Sequence, residues 1–241
     1  LYQSNAVDRY RKNMMTTDID APWHTEEPMQ WIFNFFGSSV GKKLLMALTG
    51  VCFIGFLTGH LIGNLTLYGG RDTFNAYAEH LHALGPLITL AEWGLLTLAV
   101  IHVFTGMLLF LQNLKARPVR YAVNKSGGGR TISSALMPYT GFAILLFLIY
   151  HLLQFHFVDK TFTTIYDIVS LAFANVLILS FYIAAMVVVA LHIRHGFWSL
   201  FQTLGANHPK YMPIIMGGSL VFSLVFGIGF GFLPVYVSFS G

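Results

Sequence analysis

Charge is what this sequence has least of. Asp, Glu, Lys and Arg make up 10% of its 241 residues, where a soluble domain carries about 25%. Cysteine is nearly absent too. The one Cys, Cys52, excludes an internal disulfide framework and a Cys-ligated iron–sulfur or zinc site. No Gly-rich dinucleotide fingerprint, internal repeat or low-complexity tract is evident, and no early apolar run with a small-residue cleavage site marks a signal peptide. What is there instead is apolar: 55% of residues are hydrophobic and the mean hydropathy is +0.64. That composition predicts an integral membrane protein. The net charge of +4 does not point to nucleic acid, because basic loops on one membrane face give the same number.

Five apolar runs are each close to the ~20 residues needed to cross the hydrocarbon. They cover residues 44–67, 87–111, 135–157, 168–193 and 214–237. Backbone polar groups in lipid must pair within their own segment, so the runs are predicted as helices. The fourth is expected to continue as helix past Trp198. Orientation follows from Lys and Arg. Arg9, Arg11, Lys12, Lys42, Lys43, Lys115, Arg117, Arg120, Lys125, Arg130, Arg194 and Lys210 lie on one side, against Arg71 and Lys160 on the other. This bias places the N-terminus inside and the C-terminus outside. Residues 1–41 then form an N-terminal cytoplasmic segment and residues 42–241 the membrane domain. Within the former, LYQSNA reads as a tag-cleavage remnant, with a native start at Met14 or Met15.

The first outer loop has its own pattern. Phe74, Tyr77, Ala78 and Leu81 fall at i, i+3, i+4 and i+7, which predicts a helix lying on the outer surface as a lid. Asp72 is expected to cap it and Pro86 to begin the next span.

Ionisable residues inside a span are functional candidates by default. His60 and His151 sit late in spans that run from inside to outside, each roughly 24 Å from the inner end at the helical rise. His102 and His192 sit in spans that run the other way, with His102 roughly 14 Å from its inner end. The four histidines therefore sort into two pairs at two depths, on four helices. Two b-type haems stacked in a four-helix core, each with two axial histidines, require that arrangement. Gly55, Gly59, Gly63, Gly106 and Gly141 would let a flat macrocycle approach. Taken singly, a buried histidine is more often a hydrogen-bonded core residue, and a glycine stripe more often serves helix packing. His24, His80, His82, His156, His195 and His208 lie in loops or at span ends and read as surface or interface residues. His195 is the one rival to His192. A transporter would instead gather its histidines and carboxylates at one midplane site, yet the spans hold almost no carboxylate apart from Glu92.

Six segments carry a family resemblance: KKLLMALTG, GHLIGN, FNAYAEHLHALGP, IHVFTG, YHLLQF and LHIRHGFWSLFQTLG. Together they resemble the di-haem cytochrome b membrane anchor of succinate dehydrogenases and quinol:fumarate reductases, the single-subunit five-helix type, over residues 42–232. The resemblance implies an all-α membrane protein whose first four helices form the haem-binding bundle. His102 and His192 would bind the inner, proximal haem, and His60 and His151 the distal one. It implies a flavoprotein partner with covalent FAD and an iron–sulfur partner, docked on the basic cytoplasmic face, with menaquinone near the distal haem. The chain would be the quinone-reactive subunit of a respiratory enzyme of the bacterial cytoplasmic (inner) membrane, with a dimer of heterotrimers as the implied assembly.

A quinone site needs a group that takes or gives protons. Glu92 is the first candidate, with His82, Glu79 and His80 on the lid behind it, and Trp93 or Phe155 to stack on the ring. Lys43, Arg130 and Arg194 are candidates for the proximal haem propionates. Some family members carry a glutamate two residues before the fourth-helix ligand, proposed to move protons across the membrane. Here that position is Ala190. The alternative reading is a haem b anchor of a formate dehydrogenase or hydrogenase, against which GHLIGN and HGFWSLFQTLG argue.

Overall fold

The computed structural model describes residues 29–116 and 132–240. Contacts divide the chain into two units, Leu1–Gly41 and Lys42–Gly241. Among the described residues of the first, a short helix α1 (Gln30–Gly37) is followed by Ser38. The Ser38 hydroxyl accepts from Gly41 N at 3.0 Å, which supplies a partner for the first turn of α2 (Ser39–Asn64).

Every regular element among the second unit's described residues is helical, and none is a strand. α2 gives way to one short 3-10 segment (Leu65–Gly69) and then to α3 (Gly70–Ala83). α4 covers Pro86–Lys115 and α5 covers Ile132–His151, the latter running on as a π-helical turn (Leu152–His156). α6 (Ile165–Ala174), α7 (Val176–Thr203) and α8 (Met212–Ser240) complete the chain. Five of these segments are long and apolar enough to cross a membrane. Leu90, Trp93, Phe142, Val187 and Ile228 all turn outward. An apolar surface this extensive is stable in lipid and is the surface of a multi-pass membrane protein.

The fourth apolar run is not one helix. Asn175 breaks it with an extended backbone (φ −83°, ψ 115°), and its side chain accepts from Leu177 N and Ile178 N. Residues 168–174 thus belong to α6, a separate helix with its own cap at Thr164. The spanning helix begins only at Val176 and does continue past Trp198, to Thr203. It ends in a Schellman motif. Gly205 takes φ +88°, its N–H donates to Gln202 O, and Ala206 N donates to Phe201 O.

The lid helix is present as α3, and Pro86 occupies the first turn of α4 as expected. Asp72 does not cap α3. The N-cap position is Gly69, and Asp72 lies within the first turn. Phe74 is buried beneath the helix. Two contacts tie α3 to α6: Arg71 pairs with Asp167 at 2.6 Å, and Asn75 Oδ1 accepts from Tyr166 N at 3.1 Å.

The tightest packing joins α7 to α8. Ser219, Ser223, Gly227 and Gly231 recur every fourth residue along α8, and both serines are buried. Small residues let two helix backbones approach closely, which is the main attraction available between helices in lipid. The core around this seam contains Tyr182, Met186, Val189 and Ile193 from α7, with Phe226, Leu233 and Val237 from α8.

Candidate functional site

Four helices bring their histidines together as two edge-on pairs. His60 on α2 and His151 on α5 have ring centroids 6.0 Å apart, with planes at 89°. His102 on α4 and His192 on α7 have centroids 6.5 Å apart, with planes at 62°. The first pair lies toward the end of the bundle that carries α3, here called the lid end. The second lies toward the opposite end. α7 runs eleven residues beyond His192, so His192 sits well inside the bundle, level with His102.

Each of these rings has a polar neighbour at Nδ1. Thr49 Oγ1 lies 2.8 Å from His102 Nδ1, and Thr140 Oγ1 lies 3.1 Å from His192 Nδ1. The Tyr182 hydroxyl is 3.4 Å from His151 Nδ1 and itself donates to Gln154 Oε1 at 2.8 Å. Asn64 Nδ2 is 3.4 Å from His60 Nδ1, but its short bond of 2.7 Å goes to His60 O. Nε2 of each ring has no hydrogen-bond partner among the described residues. Phe53 meets His102 edge-on, and Phe56 stacks on His60.

The pair separations can be tested against axial ligation. Two metal–nitrogen bonds of about 2.0–2.1 Å in line, plus about 1.2 Å from each nitrogen to its ring centre, put the centroids about 6.4 Å apart. Separations of 6.0 Å and 6.5 Å are compatible with that span and lie within the range of about 4.5–7 Å of ordinary edge-to-face ring contacts. No group of three or more His, Cys, Asp or Glu suited to a bare metal ion occurs among the described residues.

The glycines divide by role. A methyl added at Gly55 or Gly59 would meet nothing within 4 Å. At Gly141 it would come within 3.4 Å of His192 Cε1, and at Gly50 within 4.0 Å of His102 Cε1. Gly63 serves another purpose than expected: Tyr77 of the lid helix lies directly over it.

At the lid end the π-helical turn redirects the chain after His151. Its wider turn, closed by Phe157 N to Leu152 O at 2.9 Å, carries Gln154 to Tyr182 and His156 to Glu92. His156 Nδ1 and Glu92 Oε1 are 3.9 Å apart and both partly exposed. π turns recur at functional sites, and nothing in the sequence pattern signals this one. His82 is exposed, with Nδ1 bonded to Ala78 O of its own helix at 2.7 Å, and Trp93 turns outward. Neither touches Glu92 by a hydrogen bond or ring contact among the described residues. Glu79 and His80 are exposed on α3, and Phe155 packs edge-on against His151.

At the opposite end, Lys43 and Arg194 are exposed, and no ion pair engages either among the described residues. Arg130 lies outside the described residues, as does His24. His195 does not face His102; it meets Trp198 edge-on at 4.9 Å.

The chain was compared with protein families, curated proteins and solved structures, and none matches it.

Proposed function

We propose that this chain is the membrane anchor and electron-carrying subunit of a succinate:quinone oxidoreductase, with two b haems held by His60–His151 and His102–His192. One observation carries the reading. Four histidines on four helices meet as two edge-on pairs at a spacing compatible with axial ligation, at levels about 16 Å apart along the helices. When bound, the haems would pass single electrons between a quinone at the lid end and an iron–sulfur partner at the other.

The residues would then divide the work. Each histidine pair would hold a haem through its two imidazoles, and Phe53 beside His102 and Phe56 beside His60 would help to shield it from water. Oxidation of a menaquinol releases two electrons and two protons. Glu92 is the carboxylate we assign to receive a proton, a reading supported by the 3.9 Å approach of His156 to it. The basic residues at the opposite end give that face the positive charge expected of the cytoplasmic side, where the flavoprotein and iron–sulfur partners would dock.

The test is a pyridine haemochrome assay with a reduced-minus-oxidised spectrum on the complex purified from membranes. Two low-spin b haems per chain are expected. One haem would mean that one pair is not a ligand set, and no haem would overturn the reading. Covalent flavin on a co-purifying partner separates this enzyme from a formate dehydrogenase or hydrogenase anchor.

A further inference from the structure

Two threonines that face the lower pair, the one farther from the lid, hold a symmetrical position. Thr49 on α2 supports His102 on α4, and Thr140 on α5 supports His192 on α7. Each threonine hydroxyl has a single proton, and each spends it on its own helix. Thr49 Oγ1 donates to Leu45 O at 2.7 Å. Thr140 Oγ1 donates to Leu136 O or Met137 O, both at 3.1 Å. A hydroxyl whose proton is engaged this way can only accept from a third group. With the backbone carbonyls taking the hydroxyl proton, the hydrogen bond to histidine runs from Nδ1–H to Oγ1. That assigns the ring proton to Nδ1 and leaves the lone pair on Nε2, the nitrogen with no other partner.

The residue after each threonine is glycine. Gly50 and Gly141 lie beside the Cε1 edges of the same two rings. A side chain at Gly141 would press on His192 within 3.4 Å. The Thr-Gly step thus grips the imidazole at Nδ1 and clears space at the adjacent carbon. Thr49 and Thr140 are both buried, so water does not compete for these hydrogen bonds.

The lid-end pair is built differently. Tyr182 performs the same service for His151 through Gln154, at a longer 3.4 Å. Asn64 offers His60 Nδ1 an N–H, a donor where the other three rings meet an acceptor. Only the lower pair has both tautomers set by short bonds.

We infer that Thr49 and Thr140 are positioning residues that fix His102 and His192 as Nδ1–H tautomers, with Nε2 aimed between the rings, and that they set the potential of the lower haem alone. This rests on the two-haem reading. Donation from Nδ1–H makes the imidazole more electron-rich and favours oxidised iron. Such outer partners typically change metal affinity or activity about 10- to 100-fold.

The experiment is a potentiometric titration of both haems in the purified complex, for wild type, Thr49→Val, Thr140→Val and Thr49→Ser. Thr97→Val is the control, since Thr97 bonds back to Trp93 O and touches no histidine. Thr49→Val and Thr140→Val are expected to move one haem midpoint to more positive potential and to weaken retention of that haem about 10- to 100-fold. Thr49→Ser restores both, and Thr97→Val changes neither. Where Thr49→Val does not assemble, Thr49→Ala removes the same acceptor without added branching and is read the same way. Two haems with unmoved midpoints in both valine variants would overturn this inference and leave the two-haem reading intact. A wild-type complex without haem would overturn both.

Discussion

Ala190 lies against Gly227, so close that a methyl added to the glycine would come within 2.9 Å of the alanine Cβ. This contact is part of the α7–α8 seam. It also sits where some members of the resembled family carry a proton-conducting glutamate. In this chain the position is a half-buried alanine packed against α8 at Gly227. Electron flow from an outer quinone to an inner dicarboxylate site would then respond to the membrane potential. Equal turnover in intact vesicles with and without an uncoupler would contradict that.

Ala190→Glu should force α7 and α8 apart. Overpacking of a tight contact costs about 1–3 kcal/mol, and a carboxylate in an apolar seam adds to that. The thermal midpoint of the detergent-solubilised complex should fall. Gly227→Ala should lower it less. An unchanged midpoint for Ala190→Glu would mean that the seam yields.

Loss of either partner of a histidine pair should have the same consequence. His102→Ala and His192→Ala should each remove one haem signal, and the double variant should remove no more. His60→Ala and His151→Ala should behave likewise toward the other signal. Removal of both signals by a variant of one pair would show that the two sites are not independent. Absorbance spectra of the four single and two double variants decide it.

The Arg71–Asp167 contact predicts a pH dependence at the lid. The Thr164 hydroxyl donating to its carboxylate, with the Arg71 guanidinium beside it, holds the Asp167 carboxyl below its ordinary value of 3.8. A carboxyl lowered by folding stabilises the fold above its unfolded value and loses that contribution as pH falls through the folded one. The link between α3 and α6 should therefore hold at neutral pH and weaken below about pH 4. Hydrogen exchange along α3 should accelerate in that range, and Arg71→Ala should raise it at neutral pH. Exchange in α3 that ignores both changes would assign the lid's anchorage to Asn75 and Phe74 alone.

Gly63→Ala should unseat Tyr77 and loosen α3 without touching either histidine pair. The expected signature is faster exchange in α3 with an unchanged haem spectrum. A changed spectrum instead would place Gly63 against the macrocycle, as its sequence position first suggests.

Much of this was legible before any coordinates. Apolar runs give the spans because lipid leaves the backbone no other partner. The two histidine levels follow from helical rise and alternating direction. The break at Asn175 was harder to see, because the residues on either side are equally apolar. Asn175 itself, a side chain suited to capping in a run without charge, was the available signal. Thr49 and Thr140 carry no signal of their own in the sequence, because threonine in a span commonly bonds its own helix. The clue lay in a repetition. Thr-Gly with His ten residues after the glycine occurs at 49–60 and again at 140–151, and His with Gly four residues on occurs at 102–106 and 192–196. A spacing of 90 or 91 residues between such sparse matches shows only when the positions that meet in space are laid side by side.

That repetition bears on how the molecule is made. Each histidine pair takes one member from the first occurrence of the pattern and one from the second, so neither half of the chain holds a complete pair. During synthesis, His60 and His102 enter the membrane long before their counterparts exist. The first pair is complete only when α5 is inserted, and the second only with α7. A chain stopped after α4 could build such sites only by associating with another copy of itself.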